Sequence, residues 1–356
     1  MEPTSNTTTP VSSSAARAFA IDVLVRSGVP SDRATIVADS LVRADLRGVD
    51  THGINRLPAY VARVKSGVLN PAPTLVFQQK SPVMASLDAQ HTFGFVAGQY
   101  AIDHAVTMAE SFGVGIVGVK NSGHYGMAAT YLLRALEKGY AAFAFTNASR
   151  SMPAWGSKEP LFGTNPFAVG FPGGEKGDFV LDMSSSVVAR GKVRKAARRG
   201  ESIPEGWMLD SEGQNTTDPV EALKGVVLPM GGPKGSGIAM MLDIFGGLMT
   251  GASFGGDVND QYEELQKPQG VGHWFMVFRP EMFLDSKEEY LERMDTLFDR
   301  VRNSEKAAGV AQVFTPGEIE EAREVAQRAQ GIPFTRGEIE VLHGLAEGVG
   351  SSARLA

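Results

Sequence analysis

Apolar positions recur along this chain at two periods, and the change from one to the other divides it. Residues 15–26 carry apolar side chains at Phe19, Ile21, Leu24 and Val25 among helix formers, and Gly28 ends the run. Pro30-Ser31 opens a second helical stretch to about Arg47 with Gly48 as its stop, and a third spans residues 54–65 before Gly67. The period then shortens. Residues 74–78 and 83–88 read as strands, 95–112 as a helix, and 114–119 as a buried strand. A helix over 127–138 and a strand over 141–146 follow, then short strands at 167–171 and 179–183. The stretch 198–219 is loop-rich, 235–249 reads as an apolar, glycine-containing buried helix, and 274–278 as a strand. Amphipathic helices are predicted over 287–304 and 316–330, and a short helix over 336–348 that returns to the N-terminal ones. The mixture predicts an α/β or α+β chain with a helical N-terminal part. No G-x-G-x-x-G follows an early strand and no P-loop pattern occurs, so neither standard nucleotide-binding fold is supported.

Composition narrows the classes. The chain has 356 residues, 43% hydrophobic and 21% charged, enough for a large core in two or three subdomains. A net charge of −6 gives no reason to expect nucleic acid or an anionic membrane as partner. The absence of cysteine excludes disulfides, thiolate metal sites and a cysteine nucleophile, and fits a cytoplasmic protein. No apolar run is long enough to span a bilayer. Residues 1–14, rich in Thr, Ser and Pro, lack the basic and apolar regions of a signal peptide and read as a disordered tail.

Three loops concentrate polar chemistry. The chain has six histidines, and two of them sit in His-Gly or Gly-His turns just ahead of helical patterns: His52 in Asp50-Thr51-His52-Gly53-Ile54-Asn55-Arg56, and His124 in Asn121-Ser122-Gly123-His124-Tyr125-Gly126. Histidine suits proton transfer near neutral pH. Arg56 and Tyr60 share a helix face beyond His52, so the three can bind a carboxylate; the plainer reading is a capped, solvated helix. His124 follows a strand end, where ligands favour loops. In the third loop, residues 229–237, Lys234 and free amides at a helix start suit a pyrophosphate, or form a tight turn only. Asp182, with Met183 and Ser184, ends a strand and serves either a ribose or a helix cap. Pro316-Gly317-Glu318 reads as a helix start. The six basic residues between Arg190 and Arg199 lack interleaved aromatics and read as a solvated segment or a subunit contact. The remaining histidines, His91, His104, His273 and His343, have no metal-ligand spacing, so no metal is expected.

Taken in order, six stretches resemble the malate/L-lactate dehydrogenase family of the non-Rossmann type, which includes ureidoglycolate, sulfolactate and diketogulonate dehydrogenases. They are residues 44–56, 122–126, 162–166, 181–184, 232–237 and 316–318. The resemblance spans roughly residues 15–333. It implies a helical domain from both chain ends (15–72 plus about 305–356) and a mixed-sheet, non-Rossmann cofactor domain (73–304) with an inserted subdomain near 127–225. It implies a homodimer, NAD or NADP as cofactor, and a small 2-hydroxy or 2-oxo acid as substrate. By motif match His124 and His52 are the catalytic pair, with His124 favoured as acid/base, and Arg56, Tyr60 and Asn165 face the substrate. Asp182, Met183, Ser184, Pro233, Lys234, Gly235, Pro316, Gly317 and Glu318 would meet the cofactor. In reduction a protonated histidine supplies the proton to the substrate oxygen. Arg190 or Arg194 is the candidate for a ribose 2′-phosphate. Two departures bear on ligand choice: Thr51 stands where serine is frequent, and Ser236 where tyrosine is frequent. A reductase of cyclic imine carboxylates and a non-catalytic nucleotide-binding module are the alternatives.

Overall fold

The computed structural model of the chain describes residues 8–355. In chain order its helices are α1 (Ser13–Arg26), α2 (Ser31–Leu46), α3 (Leu57–Lys65), α4 (Gly94–Phe112), α5 (Ala129–Leu136), α6 (Arg190–Arg199), α7 (Pro219–Ala222), α8 (Pro233–Asp243), α9 (Lys287–Arg302), α10 (Glu318–Gln330) and α11 (Arg336–Gly348). The strands are β1 (Thr8–Val11), β2 (Val76–Ser81), β3 (Met84–Asp88), β4 (Val114–Ser122), β5 (Ala141–Thr146), β6 (Met152–Pro153), β7 (Pro160–Phe162), β8 (Phe167–Phe171), β9 (Phe179–Met183), β10 (Met208–Leu209), β11 (Val226–Val227), β12 (Val271–Phe278) and β13 (Ile332–Thr335). The glycine stops are real: Gly28, Gly48 and Gly67 have φ of 93°, 73° and 77°, the left-handed geometry that closes a last helical turn.

Seven strands form one sheet in the order β2-β3-β4-β12-β5-β8-β9. Only β3 and β4 run parallel, joined across α4; the other neighbours are antiparallel. This is a mixed α/β architecture without the alternating parallel crossovers of a Rossmann sheet. Helices α4 and α5 cover one face, where Ala101, Ala105, Leu132 and Val117 join a single apolar cluster with Phe275. The end of α8 covers the other face through Leu242 and Phe245 on Phe145 and Trp274. Strand β12 is therefore buried on both sides, which is why its sequence is an almost unbroken apolar run. A second cluster gathers α1, α2 and α3 with Phe334 and Leu342 from the far end of the chain. A third, around Met152, Val188, Val193, Met208 and Val227, surrounds the short strand pairs. No helix among the described residues is long and apolar enough to cross a membrane.

Two expectations are corrected and one is made specific. The disordered tail of residues 1–14 is ordered from Thr8 onward: β1 pairs antiparallel with β13, and Val11 is fully buried. A short, Thr-rich strand has no signal of its own; its partner lies more than three hundred residues away. Residues 1–7 lie outside the described residues. The basic run 190–199 is a helix, closed by Gly200 at φ 64° and anchored by the single buried side chain of Val193. Finally, the predicted buried helix 235–249 is one-sided. It buries Ala239 and Leu242 but leaves Met240, Met241, Leu248 and Met249 exposed, and its last turn, Ile244–Leu248, opens into a π-helix. Gly246 lets this turn lie close on the sheet, since a Cβ there would stand 2.9 Å from the Asn147 backbone nitrogen.

Candidate active site

The His52 turn is built around a buried acid. Asp45, on α2 and 3% exposed, accepts the Ile54 N–H at 2.9 Å and so holds the two short turns Asp50–His52 and Ile54–Arg56. Gly53 is obligatory here, since a Cβ would sit 1.6 Å from Asp45 Oδ1. Burial pushes the Asp45 carboxyl up to about 8, so its neutral form predominates at pH 7. Its contribution to stability is full at acid pH and declines as pH rises towards 8. Asp45→Asn is therefore expected to unfold in urea near the parent midpoint at about pH 4, to exceed it at pH 7, and to lose this pH dependence. Asp45→Ala strands the Ile54 amide and costs about 1–3 kcal/mol. A large loss in the Asn variant contradicts a neutral Asp45.

The second turn is fixed from below. His273 on β12 is fully buried; its Nε2 meets Ser122 Oγ at 2.8 Å and its Nδ1 meets Thr146 Oγ1 at 2.7 Å. Its ring stacks on Tyr125 at 4.6 Å between centroids. Gln269 Oε1 accepts the His124 N–H at 3.0 Å. From the other side, Gly94 at the start of α4 presses so close that a Cβ there would lie 2.3 Å from the Gly123 carbonyl oxygen.

These supports bring the two predicted histidines together. The His52 and His124 rings stack with centroids 5.4 Å apart. The Gly126 N–H donates to His124 Nδ1 at 3.3 Å, and the Tyr60 hydroxyl lies 2.7 Å from the same nitrogen. A backbone amide can only donate, so Nδ1 accepts, Tyr60 donates to it, and the neutral ring carries its proton on Nε2. Tyr60 itself is 3% exposed and packs edge-on to Phe93 and Phe95. Thr51 Oγ1 lies 2.9 Å from His52 Nδ1. Arg56 donates through Nε to the Thr51 carbonyl, and its guanidinium stands 5.5 Å over the Tyr262 ring. Burial, and behind it the Arg56 charge, lowers His52 to about 4. Burial, followed by His52, Arg56 and His273, holds His124 well below the usual imidazole range. Both rings are uncharged at neutral pH, which differs from the protonated donor read from the sequence.

The three expected cofactor segments line up along one seam. Val180 on β9 donates its N–H to the Pro316 carbonyl, and Gly317, with φ 94°, packs against Val180. Two residues on, Asp182 accepts the Ala129 N–H at 2.7 Å, so it caps the helix that follows the His124 turn. Ser184 pairs with Ser186, and the adjacent Ser185 carbonyl accepts the Met230 N–H, which brings the loop of Pro233, Lys234 and Gly235 alongside; Met183 lies on the same strand end. Other side chains are committed elsewhere. Asn165, fully buried, bonds the Ala148 N–H and the Ala239 carbonyl, which makes it a brace between loop and helix instead of the expected substrate contact. Glu318 turns back to Thr315 and Arg302. Ser236 Oγ accepts the Trp155 N–H. Asp45, Gln269 and His273 escaped the sequence reading. Their partners lie 9, 145 and 151 residues away, and no local spacing marks them.

The model of the Malate/L-lactate dehydrogenase family matches residues 11–343. The L-sulfolactate dehydrogenase of Methanocaldococcus jannaschii is 40% identical over 311 residues, covering 86% of this chain and 88% of the relative. The malate dehydrogenase of Pyrococcus abyssi is 36% identical, covering 93% and 92%. The solved structure of the sulfolactate dehydrogenase from M. jannaschii superposes with a TM-score of 0.90 at 36% identity, over 96% of this chain and 98% of that one. With its non-Rossmann mixed sheet and paired histidine turns, this chain belongs to the malate/L-lactate dehydrogenase family of oxidoreductases.

Proposed function

We propose that the protein transfers a hydride between a nicotinamide dinucleotide and C2 of a small 2-hydroxy or 2-oxo carboxylic acid. The observation that carries this reading is the His124 ring, pinned through Nδ1 by Gly126 and Tyr60, with Arg56 and His52 beside it. The cofactor seam fits such a group. Helix α8 starts at Pro233 after the N-cap Gly232, φ 64°, with no side-chain cap, so its first N–H groups, from Lys234 onward, are free to meet a pyrophosphate next to the exposed Lys234 side chain. The strand end at residues 182–184 and the turn at 316–317 flank it. When bound, the dinucleotide supplies or receives the hydride.

The chain's own residues manage the acid and the proton. Arg56 spends only Nε on Thr51, which leaves its terminal nitrogens for the substrate carboxylate. In reduction, His124 passes its Nε2 proton to the carbonyl oxygen while the Tyr60 hydroxyl returns a proton to Nδ1; in oxidation both protons run back. Burial raises the Tyr60 hydroxyl above its ordinary pKa and Arg56 opposes that, so the tyrosinate formed in the relay is transient.

The test is NADH and NADPH oxidation on pyruvate, oxaloacetate, 3-sulfopyruvate, 2,3-diketogulonate and piperideine-2-carboxylate, with ureidoglycolate in the oxidative direction. Turnover of an acid supports the reading, turnover of the imine alone replaces it with C=N reduction, and silence throughout overturns it. Tyr60→Phe keeps the ring packing and removes the relay. It is expected to lower kcat about 10- to 100-fold with little change in KM, and to straighten a bowed proton inventory in mixed H2O and D2O. An inventory that is linear before the substitution contradicts two protons in flight.

A further inference from the structure

A cavity of about 470 Å³ opens at the turn that carries His52, walled by Thr51, Asn55 and Arg56 on one side and by Tyr262 and Arg194 on the other. Two guanidinium groups therefore face one space. Arg56 belongs to the substrate clamp; Arg194 comes from the basic helix α6. Its placement is built in. Gly191, one turn earlier on α6, faces Thr51, and a Cβ on it would meet the threonine methyl at 4.0 Å, an ordinary contact distance. Val193, fully buried in the small third cluster, locks the helix rotation. Residues 191 and 194 share a face at i, i+3, so the turn that faces Thr51 also presents Arg194 to the cavity. The neighbouring Arg190 is differently employed: it donates to the Leu223 carbonyl at 2.6 Å.

Neither cavity arginine has a carboxylate partner among the described residues, and Asp50, the one acid in the lining, pairs with neither. Burial lowers the Arg56 pKa, with Tyr60 opposing and the charge of Arg194 adding to the fall. Two cations without acid partners that line one cavity favour anionic groups between them. One carboxylate answers Arg56; a second anionic group on the same molecule answers Arg194.

Resting on the dehydrogenase reading, we propose that Arg194 is the specificity-determining residue for the distal group of the substrate, and that the preferred acids are dianions whose second group is a carboxylate or sulfonate. This places Arg194 on the substrate side of the site and not at the cofactor ribose, where the sequence reading had considered it.

The experiment reads a selectivity ratio: kcat/KM on the dianions oxaloacetate and 3-sulfopyruvate divided by kcat/KM on the monoanions pyruvate and 2-oxobutyrate. In Arg194→Gln this ratio is expected to fall about 30-fold, the loss of a charge-assisted hydrogen bond, and Arg194→Lys is expected to restore part of it. Lys195→Gln, one residue along the same helix, is the control for net charge and is expected to leave the ratio alone. An unchanged ratio in Arg194→Gln, or an equal fall in Lys195→Gln, overturns the assignment while leaving the dehydrogenase reading intact. A parent enzyme that prefers the monoanions overturns it as well. Silence of the parent on all four acids overturns this inference, and the dehydrogenase reading falls with it only when 2,3-diketogulonate and ureidoglycolate are silent too.

Discussion

His124→Ala is expected to lower kcat for reduction of the preferred 2-oxo acid about a thousandfold, with KM within a few-fold of the parent value. The split follows from the site. Arg56 keeps its bond to Thr51, and the carboxylate clamp survives, while the Nε2 donor disappears. The pH profile separates two routes for the proton. His52 is lowered to about 4, and His124 is lowered by its burial first and then by its neighbours His52 and Arg56, so both rings stay neutral from pH 6 to 8. If the neutral ring donates with help from Tyr60, kcat/KM for reduction is flat across that interval. If an imidazolium were the donor, its population would fall tenfold for each unit of rising pH above its depressed pKa, and the rate with it. A flat profile that collapses uniformly in His124→Ala supports the relay; a slope of minus one restores the protonated donor of the sequence reading. A mutant that keeps its rate moves the proton transfer to His52.

The second large effect is structural. Gly94→Ala places a methyl 2.3 Å from the Gly123 oxygen and 2.6 Å from the His124 oxygen. Both obstacles are backbone, so no rotamer relieves them, and the start of α4 must withdraw from the His124 turn. Overpacking of this kind costs about 1–3 kcal/mol, which the fold can survive. Catalysis is less tolerant, because a displacement of about 1 Å at a reacting group can cost a hundredfold in rate. We expect a folded protein with a lowered melting temperature and kcat/KM reduced about 100-fold. Gly344→Ala on α11 has open space at its Cβ and serves as the comparison. If Gly94→Ala retains parent activity, the close approach does not position His124.

Much of the site was legible because its signals are short-range. A histidine beside glycine between a helix stop and a helix start marks a turn that cannot be a strand or a helix interior, whatever lies around it. His52, Arg56, Tyr60 and His124 are named by such spacing, and the fold brings them into one cluster. Asn165 shows the limit. Its motif is visible, but whether an amide meets a ligand or two backbone groups depends on Ala148 and Ala239, and these come from separate segments. Asp182 had two readings of equal standing, and the cap on Ala129 emerges only once β9 lies beside the His124 turn.

What the sequence by itself determined is the order and type of the longer helices and of most strands of the large sheet, which turns are candidates for the chemistry, and the absence of a Rossmann motif. Periodicity, glycine stops and caps act within one or two turns of chain, so they survive in any context. Only the tertiary structure decided the pairing of β1 with β13, the one-sided burial of α8, the helix in the basic run, the neutral state of both histidines and the entry of Arg194 into the Arg56 cavity. Each depends on contact between residues far apart in the chain. Burial and neighbouring charge, which set a histidine's proton and an arginine's partner, are properties of that contact and not of local spacing.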